Sequence, residues 1–299
     1  MRFNTPKLIA SMALAVLASS AHGALIFSLA NNGVNLIRFD SATPGAVTPV
    51  GPISGATALL DGLDFRPADG FLYGYNSLTS GIYRVNTNTG VTTLVSTSSA
   101  PVTTRILGID FNPVPDRLRV VTDDDDNRRI DITTGVAIVD GPLTYAAGDP
   151  NVGANPSILD AAYTNHDVNV ATGTTLYYID FNLNTLVTTS NPNAGILNTV
   201  GPLGFDTSDF LGFDIFTDLA GINTAFASLR VGGVDGLYTI NLATGAASFV
   251  GAIAANELSG LAVAPAAVPE PGSLALVAAG LAAFGLRRRD QYNKRGLAK

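Results

Sequence analysis

Few side chains in the middle of this chain are of types that do chemistry, and their spacing narrows what that chemistry is. His166 stands in Thr164-Asn165-His166-Asp167, and the other histidine, His22, falls in an N-terminal stretch with the features of a leader. Nucleophile–base catalysis draws on a group that exchanges protons near pH 7, most often His. With one such residue left, in a turn-like stretch, a structural or solvent-facing role is expected. The chain has no cysteine, which excludes disulfides, thiolate chemistry and zinc sites built on Cys and several His. Asp64, Asp110 and Asp214 occupy equivalent positions of three repeated segments. If strands carrying them line a common channel, the carboxylates converge, and converging carboxylates bind a cation or divide into acid and base. The leading expectation is architectural: each Asp accepts backbone hydrogen bonds from the adjoining turn, and Ala162 and Ala262 at the two remaining positions break a symmetric metal ring. Asp123-Asp124-Asp125-Asp126-Asn127 is the densest acidic cluster. It lacks the alternation, central Gly and distal Glu of an EF-hand loop. A solvated hairpin tip is expected there, its repulsion relieved by Arg128 and Arg129.

Other motifs point away from catalysis. Gly232-Gly233 lacks the Lys and helix of a phosphate loop. Tyr73, Tyr75, Tyr83, Tyr177, Tyr178 and Tyr238, in a chain without Trp, lie in strand patterns that need core residues. No catalytic residue, metal ligand or cofactor is assigned, with bound Ca²⁺ left open.

The scaffold that must position these residues shows itself by repetition. An apolar segment recurs as Gly62-Leu63-Asp64-Phe65-Arg66-Pro67, Gly108-Ile109-Asp110-Phe111-Asn112-Pro113, Ala161-Ala162-Tyr163-Thr164-Asn165, Gly212-Phe213-Asp214-Ile215-Phe216-Thr217 and Gly260-Leu261-Ala262-Val263-Ala264-Pro265. Aligned at the Asp position, the copies fall at 64, 110, 162, 214 and 262, spaced by 46, 52, 52 and 48. A strand–turn–strand pattern alternates with it: Leu36 to Val47, Ile82 to Val91, Arg129 to Val136, Leu176 to Leu186 and Leu237 to Ala246. Side chains alternate along these strands. Where a Thr-Gly pair stands in the turn, the Gly tolerates positive φ and the Asn or Asp before it caps the turn.

Five units of about 50 residues, each worth roughly four strands, have the period of a propeller blade. The first hairpin has no Gly-apolar-Asp strand before it, and the last such strand has no hairpin after it. In a closed ring the two fragments complete one blade and protect the sheet edges. The expected fold is an all-β, five-bladed propeller closed by the two ends of the mature chain. An irregular β-sandwich or an open β-solenoid is the alternative. No stretch of the body has a helical period.

The ends carry processing signals. Arg2 and Lys7 precede an apolar stretch from Leu8 to Ala18, and Ala21-His22-Gly23 supplies small residues for a signal peptidase. Cleavage between Gly23 and Ala24 is expected. At the other end, Val268-Pro269-Glu270-Pro271 precedes an apolar run from Ser273 to Leu286, then Arg287-Arg288-Arg289. As a helix these 14 residues span roughly 21 Å, short for a hydrocarbon core of about 30 Å. The arginines favour the cytoplasmic side. A short transmembrane helix with a basic end suits a transient inner-membrane anchor. The divisions are 1–23 as signal peptide, 24–266 as repeat domain and 267–299 as tail with its helix at 273–286.

Between Ala24 and Val268 there are nine arginines, no lysine and 22 acidic residues, a net charge of −13 against −7 for the whole chain. Nucleic acid and anionic membrane surfaces are thereby disfavoured as partners, while cations and cationic polymers are not.

The tail resembles the PEP-CTERM sorting signal of Gram-negative bacteria in its Pro269-Glu270-Pro271, its Gly- and Ala-rich span and its Arg cluster, in that order. That resemblance implies export and processing by an exosortase, a membrane cysteine protease–transpeptidase, and delivery to the cell surface or matrix. The stretch beyond the arginines, Asp290 to Lys299, is longer than usual. The body resembles a bacterial domain family of unknown function found in exported proteins. The stretches that carry this are Leu63-Asp64-Phe65-Arg66-Pro67, Gly70-Phe71-Leu72-Tyr73-Gly74 and Gly108 to Val121. It implies a propeller-like fold and no assigned activity. Asp123 to Asp126 departs from it.

The expected function is that of a non-enzymatic surface or extracellular-matrix protein, with signal peptidase and exosortase as processing partners and extracellular polysaccharide as a candidate ligand. The alternative is a Ca²⁺-dependent propeller hydrolase or lyase with a carboxylate-lined channel. A periplasmic ligand-binding module is a third reading.

Overall fold

A computed structural model describes residues 23–55, 59–209 and 211–266. The chain folds as consecutive antiparallel sheets. β1 (Leu25–Ala30), β2 (Asn35–Asp40) and β3 (Thr48–Pro52) begin the first blade. The second is β4 (Gly62–Phe65), β5 (Leu72–Asn76), β6 (Gly81–Val85) and β7 (Thr92–Thr97). The third is β8 (Leu107–Asn112), β9 (Arg117–Thr122), β10 (Asn127–Ile130) and β11 (Ala137–Val139). The fourth holds β13 (Ile158–Tyr163), β14 (Leu176–Asp180), β15 (Thr185–Asn191) and β16 (Ile196–Pro202). The short β12 (Thr144–Tyr145) pairs in parallel with the outside of β16. The fifth is β17 (Leu211–Thr217), β18 (Asn223–Val231), β19 (Val234–Ile240) and β20 (Ala247–Ala252). The last strand, β21 (Ser259–Val263), returns to pair with β1, so the two ends of the domain share the first blade. Among the described residues the only helix is a 3₁₀ turn, Pro192–Ala194.

The innermost strands β21, β4, β8, β13 and β17 pack side by side in a closed circle. Each is covered on both faces by neighbouring blades, which is why β4 and β13 are buried at every position, their single Asp residues included. The core divides into five clusters, each shared by two adjacent blades. Phe27, Leu29 and Leu36 pack on Leu63 and Phe65 between the first and second blades. Ile26 and Val263 pack on Phe226 and Leu237 between the first and fifth. The outermost strands have solvent on one side and expose Leu94, Ile138, Val139 and Phe249.

The Thr-Gly turns have a second purpose besides reversing the chain: each docks against the outer strand of the preceding blade. Gly135, at φ 75°, lies so close that a Cβ would stand 2.2 Å from the Thr97 carbonyl oxygen, and its own carbonyl accepts the Ser99 N–H at 2.8 Å.

One sequence alignment is corrected. The segment Leu176 to Leu186 was expected to match the other hairpins, which join third and fourth strands. It joins the second and third strands, β14 and β15. The copy lacks a Thr-Gly pair, and in this blade the docking turn is supplied by Pro192–Ala194 with Gly195 at φ 70°.

The expected cleavage point, Gly23 and Ala24, stands just ahead of β1. The expected sorting residues Val268, Pro269, Glu270, Pro271, Arg287, Arg288 and Arg289, and the helix at 273–286, lie outside the described residues. No helix among the described residues is long and apolar enough to cross a membrane.

Candidate functional site

The side chains of β4, β8 and β17 that face the ring axis bring three carboxylates together. Asp64, Asp110 and Asp214 are buried, at 1–2% exposure. One oxygen of each is held by the backbone of the next blade. Oδ2 of Asp64 accepts the Phe111 N–H at 2.7 Å, that of Asp110 the Tyr163 N–H at 2.9 Å, and that of Asp214 the Val263 N–H at 2.6 Å. The expected acceptor role is correct in kind and wrong in partner. The donors belong to the neighbouring inner strand, because these side chains point across the blade interface and not toward their own turn.

The fourth blade keeps the scheme with a shifted residue. Ala162 stands in register with Asp110 and has no carboxylate, but Asp160, two residues earlier on the same face, takes over. Its Oδ2 accepts the Phe213 N–H at 2.8 Å. Asp160 falls where the other copies carry Gly62, Gly108, Gly212 and Gly260. A bulge between Ile158 and Asp160 makes room for it. A Cβ on Gly108 would come within 2.2 Å of the Asp160 Cα. The signal for this residue was present in the sequence: an Asp at an even offset from the vacant position shares its strand face.

Of the two roles expected for His166, structural or solvent-facing, the second does not hold. It does lie in a turn, between β13 and β14, but its side chain is only 8% exposed and turns toward the axis, with Nε2 3.8 Å from Oδ1 of Asp214. The turn is fastened to the fifth blade: the His166 N–H reaches Thr217 Oγ1 at 3.1 Å, and Asn165 and Asn223 exchange two hydrogen bonds at 2.8 and 3.0 Å. One ligand-type atom from each of Asp110, His166 and Asp214 lies within 4.8 Å of the others. Asp64 interacts side chain to side chain with Asp110, and its pKa is raised by burial and by the Asp214 charge across the axis. Asp110 is pushed the same way by burial and then by Asp64 and Asp214. Burial also raises Asp214, against the opposing influence of His166.

At the opposite pole, where the inner strands begin, a cavity of about 290 Å³ is lined by residues from all five blades, among them Asp61, Arg105, Leu107, Leu159 and Leu211. Arg105 reaches across it to Asp61 at 2.7 Å.

The acidic run Asp123–Asp126 forms the turn between β9 and β10, as expected, but it is not the fully solvated tip expected: only Asp124 is exposed, and an oxygen of Asp123 and one of Asp125 are buried. Arg128 pairs with Asp126 at 2.7 Å, whereas Arg129 turns away to Asp140 at 2.8 Å and gives the run no relief. The aromatic residues Tyr73, Tyr75, Tyr83, Tyr178 and Tyr238 are core, as expected, whereas Tyr177 is only partly buried, against the cluster between the fourth and fifth blades. Arg119, passed over in the sequence, is the largest fully buried side chain. It contacts Tyr163, Asn127, Asp140 and Asn193, tying the third blade to the fourth.

Residues 35–262 match the family model described as domain of unknown function, DUF4394. Residues 267–289 match the PEP-CTERM protein-sorting motif. No curated protein matches the chain. Among solved structures it is similar to a protein of unknown function from Bacteroides thetaiotaomicron, at 15% identity and a TM-score of 0.46 over 67% of this chain and 52% of that one. It is also similar to hydrazine synthase from Kuenenia stuttgartiensis (15%, 0.39, 67% and 51%) and to a chain of a nidogen–laminin complex (11%, 0.46, 83% and 99%). The chain spans about half the length of the first two. These likenesses are too distant to carry a functional argument.

Proposed function

The chain belongs to the DUF4394 family of domains of unknown function, and from that premise we propose that its mature form is a non-enzymatic component of the cell surface or extracellular matrix. The observation that carries this reading is the PEP-CTERM motif at residues 267–289, which marks an exported protein handled by an exosortase. The motif begins only a few residues after β21 ends at Val263. Removal of the tail therefore costs the propeller no strand.

Two structural features support a role without turnover. The axial carboxylates and the His166 side chain are buried, where a polymer chain does not reach them without local opening. The blade rims present apolar side chains such as Leu94, Val139 and Phe249 on outer strands, surfaces suited to packing within extracellular polymer.

The test is fractionation of cells into inner membrane, outer envelope and medium, with intact mass measured in each. A mass that starts at Ala24 and ends near Pro269–Pro271, in the outer or released fraction, is the expected result. A mass that keeps Arg287–Lys299 and stays in the inner membrane overturns it. A hydrolase using the axial carboxylates is the competing reading. It requires Asp110→Asn or Asp214→Asn to abolish turnover of a polysaccharide in a protein that still folds.

A further inference from the structure

We propose that the propeller axis holds one divalent first-row transition-metal ion, of the zinc or manganese kind, bound by Asp110, His166 and Asp214 with Asp64 beside them. The cluster is already gathered: donor atoms of Asp110, His166 and Asp214 lie within 4.8 Å of one another. Ligands of one such ion sit at about 2.0–2.2 Å from it, which places tetrahedral donors about 3.4 Å from one another, so the side chains close in by about an ångström to complete the site.

The second observation is the set of atoms left over. Asp110 Oδ1, Asp64 Oδ1 and His166 Nε2 are buried and, beyond the contact of the two carboxyl groups with each other, have no hydrogen-bond partner. Buried polar atoms are satisfied in the great majority of cases, and an orphan calls for a partner. Here several orphans share one place. The other oxygens of Asp64 and Asp110 are fixed by the N–H groups of Phe111 and Tyr163, which leaves their free oxygens pre-aimed at the axis. Asp214 accepts the Val263 N–H at Oδ2 and the Ile215 N–H at Oδ1, and Oδ1 keeps its second lone pair for the ion.

Charge points the same way. Among the described residues no arginine pairs with Asp64, Asp110 or Asp214; Arg105 is taken by Asp61, and Arg119 by Asp140 and its neighbours. Buried carboxylates without a counter-charge are costly, and a bound dication is the largest local charge such a site can acquire. The donor chemistry selects the metal. Ca²⁺ takes six to eight oxygens, while an imidazole beside carboxylates suits the zinc-to-manganese range.

The ligands come from the third, fourth and fifth blades, and Asp64 from the second. The ion therefore staples the ring from its centre. In an exported chain without cysteine, it fills the cross-linking place that disulfides hold in other exported proteins.

The test uses the full chain, stripped with EDTA and dialysed in parallel against Zn²⁺, Mn²⁺ and Ca²⁺, with metal read by mass spectrometry and the thermal midpoint recorded. One equivalent of Zn²⁺ or Mn²⁺ retained, with a raised midpoint, is expected. His166→Gln and Asp110→Asn should each weaken retention by at least the roughly 10–100-fold that loss of an outer-shell partner costs, and cancel the rise in midpoint. Asp110→Asn keeps an acceptor for the Tyr163 N–H, and His166 lies on a surface turn, so unchanged circular dichroism separates metal loss from misfolding. Should one variant misfold, the other and the wild-type stoichiometry still decide. Retention of none of the metals, of Ca²⁺ alone, or of Zn²⁺ equally by wild type and variants overturns the proposal.

Discussion

Asp125 occupies the tip of the acidic turn with φ at 65°, a conformation that Asn accepts as readily as Asp. Its pKa is raised from 3.8 to about 6, first by burial and then by Asp124 and Asp123. The folded state thus holds this proton more tightly than the unfolded chain does. Stability from this group is greatest below pH 4 and falls as pH rises toward 6. Asp125→Asn removes the penalty: its thermal midpoint should exceed wild type at pH 7–8 and converge with it near pH 4. A gap that persists at pH 4 would contradict the assignment. Arg119 is the opposite case, a buried charge with full partnership. Arg119→Met leaves Tyr163, Asn193 and part of Asp140 without their donor, and breaking a buried pair from one side costs about 3–5 kcal/mol. Urea denaturation measures it, and a loss below about 1 kcal/mol, the scale of an exposed pair, would show the network to be dispensable. Neither residue's weight was legible in the sequence. Arg119 looked like one more strand arginine, because its partners Tyr163 and Asn193 come from a blade more than 40 residues away.

At the scale of elements, repeat spacing revealed the inner strands and hairpins because both depend on local chemistry: glycine at close approaches, Thr-Gly at turns. It failed in the fourth blade, where the local signals changed. There the Thr-Gly turn is replaced by Pro192–Ala194, and the axial carboxylate moves from position 162 to Asp160. Alignment by residue identity could not follow a shift that conserves only the strand face. The same packing explains why one glycine matters more than another. Gly108→Ala drives a methyl to 2.2 Å from the Asp160 backbone between two inner strands, whereas Gly148, at φ 88°, has open space around it. Alanine at Gly108 should destabilise by about 3 kcal/mol, the upper end of what overpacking a rigid core typically costs. Alanine at Gly148 should cost about 1–2 kcal/mol, from φ alone. Equal losses in chemical denaturation would mean that the fourth blade yields to its neighbour.

For the whole molecule, ring closure was readable from the unmatched first hairpin and last strand, and it places the stability of the domain at its seam. Ending the chain before Ser259 removes β21, bares the edge of β1 and opens the cluster that holds Leu261 and Val263. Such a truncation should aggregate on size-exclusion chromatography, while one ending at Ala266 should elute as a folded domain. The axial cluster was half legible. Asp64, Asp110 and Asp214 stood out by period, but His166 did not, since only the three-dimensional path of the turn after β13 carries it over the axis to the fifth blade. The central claim is an exported propeller held at its centre by a metal ion. Native and denaturing mass spectrometry of the protein recovered outside the cell tests it most directly. The account predicts a denatured mass running from Ala24 to the Pro269–Pro271 region and a native mass heavier by one divalent metal ion. A released protein that retains Arg287–Lys299 and gains no metal under native conditions would contradict it.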